Sequence, residues 1–464
     1  MINRRSLLRS SLFGLAGASW LSGSRRAEAA AARLRLEASR ESTDLSEPAQ
    51  EGRTEPAPRH GEAHPRSGGS ASASPRHAPA AGRTAVVTPD GSTLPWRWDG
   101  GVKVFELVAE PVERELAPGL KVHCWGYNGQ APGPTIEAVE GDRVRILVSN
   151  RLPEPTSVHW HGVLTPSGMD GVSGLNQPAI APGETFLYEF TLRQHGTLMY
   201  HPHFDEMTQI AKGMMGFFVI HPREHPREQH AQGVARVDRD FCLFLHEWAI
   251  KPGTAVPDPN VMTDFNVFTF NGRAYPGTTP LVARLGEKVR IRFANLSMDS
   301  HPMHLHGMLF RITGTTGGRI PESAQWPEAT VNVPPGTTRD IELVADAPGD
   351  WSLHCHKPHH TMNQMSHNLP LMLGVDLSGL DEQMRRLLPQ YMAMGQNGMG
   401  DAMRMGSPPN SIPMLGGEGP HGPIDMGGMF TLLKVRDGIT TYEDPGWYAD
   451  PPGTAARAVP AAKA

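Results

Sequence analysis

Four pairs of histidines, each with its members two positions apart, carry the chemistry of this sequence: His159/His161, His201/His203, His304/His306 and His354/His356. Side chains on a strand alternate between faces, so residues i and i+2 project to one side and residue i+1 to the other. Each pair is therefore able to grip one metal site. Cys355 stands between His354 and His356, so its thiolate faces a second site, and three consecutive residues join two metal centres covalently. That arrangement suits electron transfer.

The residues around Cys355 specify the second site. His360 lies five positions beyond it, Met365 five beyond that, and His301 three before His304. Imidazole suits copper and zinc alike, whereas thiolate combined with thioether selects copper. His301, Cys355, His360 and Met365 thus give two imidazoles, a thiolate and a weak axial thioether, the ligand set of blue copper. Zinc fits poorly, because its sites take three or four protein ligands and eight further paired histidines remain. A single His-x-His on a strand is readily coincidental; four at matched positions are not.

Those positions are matched because the chain repeats itself. Asn128-Gly129 recurs as Asn271-Gly272, Asn150 as Asn295, and His159-Trp-His161-Gly162 as His304-Leu-His306-Gly307. Further along, Pro182-Gly183 recurs as Pro335-Gly336 and the His201/His203 pair as His354/His356. Two copies of one domain are expected, over residues 85–222 and 238–376. Within each, short alternating apolar runs such as Val144, Ile146, Val148 and Val289, Ile291, Phe293 are bounded by Gly, Pro and Asn. These are strand and turn signals, so the fold class expected is all-β: two tandem Greek-key β-sandwiches.

The flanks have a different character. Residues 1–29 carry Arg4-Arg5, an apolar run from Leu12 to Leu21 and Ala27-Glu28-Ala29, which reads as a cleaved export signal to the periplasm, the paired arginines suiting the twin-arginine route although a short basic stretch also opens an ordinary secretory signal. The run is too short to span a bilayer, and no later stretch is long and apolar enough. Residues 30–84 hold almost no large apolar side chains and are expected to be a disordered leader. Residues 377–464 form a Met- and Gly-rich extension, with a helix expected over 378–394 and one strand from Phe430 to Val435. Net charge is −5, with no basic stripe in the His-bearing region, so nucleic-acid binding has no support. Three cysteines in an exported chain make no disulfide scaffold; with Cys355 a ligand, Cys124 and Cys242 either pair or stay as buried thiols.

With its four ligand motifs in order, the chain resembles the multicopper oxidases over roughly residues 120–375. The resemblance implies cupredoxin domains and four copper ions per functional site. One is the type 1 ion on His301, Cys355, His360 and Met365. A type 2 ion would sit on His159 and His304, and a type 3 pair on His161, His201, His203, His306, His354 and His356. It implies oxidation of a small reducing substrate, with dioxygen reduced to water. Two repeats instead of the usual three resemble the two-domain, laccase-like members, whose cluster is assembled between the first domain of one subunit and the second of its neighbour, which implies a homotrimer. Asp170, in Met-Asp-Gly after the first motif, is the candidate for proton handling near the type 2 ion, against the plainer reading of a turn aspartate before Gly171; Asp205 and Glu206 are weaker candidates. His359, beside a ligand, is either a neighbour to the metal or a solvent-facing ring. His123, His195, His221, His246 and His367 belong to no pair and read as core or surface residues.

The electron donor is less legible. Met303 and Met308, with the tail methionines, suggest delivery of Cu(I), since thioethers are soft; a phenol is the other substrate class. Two alternatives differ in copper count: a nitrite reductase-like enzyme needs only one ion beside the blue site, and a copper-binding or tolerance protein would hold copper without turnover.

Overall fold

The structure, a computed structural model, describes residues 84–223, 236–251, 253–364, 383, 386–387, 409–413 and 416–459. The expected export signal and most of the leader lie outside these residues, as does the expected helix over 378–394 apart from Gln383, Arg386 and Leu387, which are helical. No helix among the described residues is long and apolar enough to cross a membrane.

Each repeat folds into two facing sheets. In the first, strands Trp96–Asp99, Val102–Ala117, Arg143–Asn150 and Thr185–Thr191 are hydrogen-bonded in that order, with Leu120–Tyr127 also paired to Val102–Ala117. Facing them is a three-stranded sheet of Ile136–Val139, Gly216–His221 and Gly196–Tyr200. Phe105, Leu107, Ile146, Val148, Tyr188 and Trp160 fill the space between. The alternation read from the sequence is the cause: Val144, Ile146 and Val148 are fully buried while Arg143, Arg145 and Leu147 turn outward.

The second sandwich repeats this plan with a difference. Its five-stranded sheet runs Leu281–Arg284, Phe430–Arg436, Gly349–Cys355, His301–Leu305, Thr330–Val333. The strand expected near Phe430 is present, but it is the second strand of this sheet, so the sandwich extends beyond residue 376 into the C-terminal extension. The antiparallel pair Gly349–Cys355/Phe430–Arg436 corresponds to Gly196–Tyr200/Gly216–His221 in the first repeat. Twelve residues separate His203 from Gly216, whereas 73 separate His356 from Phe430. An insertion of that length leaves the strand too far from the repeat for spacing to reveal it. One further strand, Val86–Val87, lies before the first sandwich yet pairs with Arg239–Trp248 of the second.

Repeated residues make repeated bonds. The Asn-Gly turns need both residues at positive φ, and they have it: 50° and 71° at Asn128-Gly129, 49° and 72° at Asn271-Gly272. Asn150 donates to Glu154 O and Ile180 O, and Asn295 donates to Asp299 O and Val333 O, all at 2.8–2.9 Å. Each buried amide thus ties a strand end to the loop beyond it.

The two sandwiches share packing. Met199, Met215, Phe217 and Val219 of the first pack with Cys242, Phe244 and Ala294 of the second. Beside this contact Arg292 is buried, paired to Asp240 at 2.7 Å, and donates to Thr197 Oγ1 at 2.6 Å; the Thr197 hydroxyl donates in turn to Asp340. A buried guanidinium with two carboxylates and a hydroxyl is satisfied in this geometry alone, which fixes how the sandwiches meet.

Candidate metal centres

His301, Cys355 and His360 converge at the loop end of the second sandwich and are 0–1% exposed. Their donor atoms lie close together: Nδ1 of His301 is 3.1 Å from Nδ1 of His360, and Cys355 Sγ is 3.8 and 3.5 Å from them. The outer nitrogens are engaged elsewhere. His301 Nε2 lies 3.0 Å from Ser297 Oγ and from Glu247 Oε1, and His360 Nε2 is 3.2 Å from Asp299 Oδ2, which also pairs with Lys357. Phe268 stacks flat on His360 at 4.1 Å. Nδ1 of each ring is thereby turned inward as a lone-pair donor.

Burial holds both imidazoles neutral, drawing His301 down to about 3 and His360 to about 2. The same burial pushes the Cys355 thiol up to about 12, so the free thiol keeps its proton at neutral pH and a metal ion must displace it. Two neutral imidazoles and a thiol at these separations fit a copper ion held as in blue sites. Met365, the expected axial ligand, lies outside the described residues. Glu247, with its carboxyl pushed up to about 8 by burial and then by Asp299, was not singled out from the sequence. Its signal was an acid inside the apolar run Phe241–Trp248, a strand buried along nine of its ten residues.

The eight paired histidines form two quartets. In the first sandwich the rings of His161, His201 and His203 lie 5.3–5.8 Å from that of His159. In the second, those of His306, His354 and His356 lie 4.8–5.6 Å from that of His304. Strand alternation produces both, as His354/His356 turn one way and Cys355 the other. Backbone carbonyls fix the tautomers. Nδ1–H of His159 donates to Asp170 O, of His201 to Pro202 O, of His304 to Ala329 O and of His354 to Cys355 O, all at 2.7–2.9 Å. Each leaves Nε2 as the metal-facing lone pair. His161 is inverted: its Nε2–H donates across the sandwiches to Gly336 O at 2.9 Å, and Nδ1 lies 3.3 Å from His201 Nε2. His306 and His354 approach through their Nε2 atoms, 3.1 Å apart. Oriented imidazoles in this number fit several copper ions. Among the described residues, no group able to hold a metal joins ligands of both quartets.

Asp170 is half-buried beside the first quartet, its carboxylate 3.5 Å from His159 Nδ1 and its carbonyl the stronger partner. Glu206 lies 3.5 Å from His201 Nδ1; Asp205 is exposed, at positive φ before the short helix Glu206–Ala211. His359 is half-buried with its ring edge-on to Phe268. His195 pairs with Glu140, His221 with Glu137, and His246 is buried against Trp248; His367 lies outside the described residues. Cys124 and Cys242 are buried and unpaired. Met303 is 1% exposed and faces the core, which removes it from any surface route for Cu(I).

A pair of sandwiches carrying a Cys-centred site and two histidine quartets defines a cupredoxin-type copper protein. Comparison narrows the class: two family models, both described as multicopper oxidase, match residues 109–225 and 252–371, together just over half of the chain. The chain belongs to the multicopper oxidase family. Among solved structures it is similar to the blue copper oxidase of Nitrosomonas europaea, with TM-score 0.53 and 26% identity, covering 74% of this chain and 91% of that one. Among curated relatives, it is 28% identical over 58% of its length to a probable nitrite reductase-hydroxylamine oxidoreductase fusion protein of Kuenenia stuttgartiensis. It is 40% identical over 26% of its length to copper resistance protein A of Escherichia coli, and 29% identical over 43% to Laccase-1 of Cryptococcus neoformans var. grubii. The matches span 31%, 18% and 36% of those three proteins.

Proposed function

We propose that this chain is a laccase-like multicopper oxidase. It oxidises a small reducing substrate, a phenol or Cu(I), one electron at a time, and returns four electrons to dioxygen. The observation that carries this reading is the placement of Cys355: its thiol lies in a buried site with His301 and His360, while its two neighbours belong to a histidine quartet. Copper in these sites would accept single electrons at Cys355 and reduce dioxygen to water at the histidines. The chain's own contribution is geometric. Cys355 and the peptide bonds to His354 and His356 give a covalent route between the centres, burial of Cys355 keeps water from the thiolate, and carbonyl-locked imidazoles need not reorient.

The expected residues would hold type 1 copper on His301, Cys355, His360 and a methionine, which spacing assigns to Met365. Type 2 copper would take His159 and His304, and the type 3 pair His161, His201, His203, His306, His354 and His356. Asp170, beside His159 and partly open to solvent, would relay protons. Because the quartets are separate within one chain, a full cluster needs a quartet from a second subunit, which supports a homotrimer. The Arg4-Arg5 leader supports export to the periplasm.

Copper counting tests the reading together with Cys355→Ser. The oxidase requires about four ions per chain, intense thiolate-to-copper absorption, and loss of that colour and of substrate oxidation in Cys355→Ser with the quartet ions retained. Two ions per chain would favour the nitrite reductase-like alternative, and variable copper without oxygen uptake a storage or tolerance role.

A further inference from the structure

The loop that carries His360 does not lead directly into the strand that closes the second sandwich; that strand begins at Phe430, and Met429 is the residue just before it. The antiparallel register sets Leu353 opposite Thr431 and His354 opposite Phe430. The next step outward brings Cys355 to Met429, where the Cys355 N–H donates to Met429 O at 3.0 Å. Opposed residues turn their side chains to the same face of a sheet. His354 and Phe430 do so, with rings 6.4 Å apart, which leaves Cys355 and Met429 together on the other face. Both are buried there, at 1% and 0% exposure, in one core cluster.

A second bond ties the same residue to the other side of the site: Met429 N–H donates to His360 O at 2.9 Å. Two glycines permit this approach. A Cβ on Gly428 would stand 2.4 Å from His360 O, and one on Gly427 2.4 Å from Asn363 Nδ2. Asn363 in turn accepts from Gly428 N–H and donates to Tyr275 O. The backbone of Met429 is therefore clamped between Cys355 and His360. Met303 also faces Cys355, from the strand His301–Leu305. Its counterpart in the first repeat is Val158, a fully buried core residue in a sandwich whose matching position to Cys355 is Pro202, so that position packs the core in both repeats.

We propose that Met429, and not Met365, supplies the axial thioether of the type 1 copper. The inference rests on reading the Cys355 centre as type 1. The blue site is then closed by residues 74 positions apart, and the Met-rich stretch becomes an insertion within the ligand loop instead of a tail hanging beyond it.

The test uses the full chain loaded with copper, and reads the reduction potential and electron paramagnetic resonance of the blue ion in Met429→Leu, Met429→Gln, Met365→Leu and Met303→Leu. A thioether donates to Cu(II) more than an alkyl group does, and an amide oxygen more than a thioether, so the axial position sets the potential. The expected result is a raised potential in Met429→Leu, a lowered one with altered resonance in Met429→Gln, and the parent potential in the other two. A packing residue would not shift the potential in opposite directions. If Met365→Leu or Met303→Leu moves the potential, or if neither Met429 variant does, the assignment is overturned. Should a Met429 variant fail to load, Met365→Leu and Met303→Leu decide together: a raised potential in either overturns the proposal and the parent potential in both upholds it. A parent protein without blue colour would refute the type 1 reading itself, a separate outcome.

Discussion

At the scale of single residues, metal-site geometry here is set by carbonyls as much as by imidazoles. His159 presents Nε2 because Asp170 O takes the proton on Nδ1 at 2.8 Å. Asp170 is held in place by the turn at Gly171, where φ is 89° and a Cβ would fall 1.8 Å from Val158 O. Gly171→Ala must therefore push the Met-Asp-Gly segment off the strand beneath it. The strained φ alone costs about 1 kcal/mol, and losing the orienting partner of a ligand lowers metal affinity roughly 10–100-fold. The expected outcome is a type 2 copper signal that titrates away at correspondingly lower chelator concentration, with the blue absorption intact; equal loss of both would mean the substitution acts on folding instead. The imidazoles and Cys355 were legible in the sequence, because i, i+2 spacing translates directly into a shared face. Their carbonyl partners were not, since a main-chain oxygen carries no residue type. Glu247 and Asp299 escaped notice for a related reason: their positions beside His301 and His360 depend on strand register and on the Asn295 side chain that fixes the Asp299 carbonyl.

At the scale of elements, the strand Phe430–Arg436 is decisive. It lies between Leu281–Arg284 and Gly349–Cys355, pairing with both, and all seven of its residues are buried. Phe430, Leu432, Leu433 and Val435 each contribute roughly 1.5–3 kcal/mol by burial, a sum comparable to the 5–15 kcal/mol that stabilises a typical domain. Any chain ending before residue 430 should thus lose its second sandwich, and says nothing about what the Met-rich stretch does. An internal deletion is informative, because the flanks of the insertion meet: Ile412 N–H donates to Gln364 Oε1 at 2.7 Å. Replacing residues 368–406 with a short Gly/Ser linker should leave cooperative unfolding and blue colour in place. If the methionines deliver cuprous ions, oxygen uptake driven by Cu(I) falls several-fold while uptake driven by a phenol is unchanged. Equal rates with Cu(I) before and after deletion would dismiss that role. The strand itself was visible as Phe430 to Val435, but its partners were not, because an insertion erases the offset that revealed every other repeated element.

At the scale of the whole molecule, each sandwich carries one histidine quartet, and among the described residues no group of metal-holding side chains joins the two. The Arg292 network fixes how the sandwiches of one chain meet, while the second quartet opens outward: His306 and His356 are exposed, beside a cavity lined by Met308 and Leu309, and Leu309 is 70% exposed. Open ligands next to an exposed apolar side chain are what a heterologous interface leaves on an isolated subunit. Subunit mixing tests this. A chain with His161→Ala has a defective first quartet and one with His354→Ala a defective second, so each alone should bind its type 1 copper yet reduce no dioxygen. When the two are denatured and refolded together, a first quartet from a His354→Ala subunit can face a second quartet from a His161→Ala subunit, with every ligand present. Random assortment makes about one interface in four complete, so oxygen uptake should recover to about a quarter of the parent value at equal mixing, and should follow the product of the two mole fractions as the ratio is varied. A cluster built within single chains leaves every mixture inactive. The two outcomes differ in kind, and the dependence on mixing ratio separates restored clusters from traces of parent enzyme, which would not vary as that product.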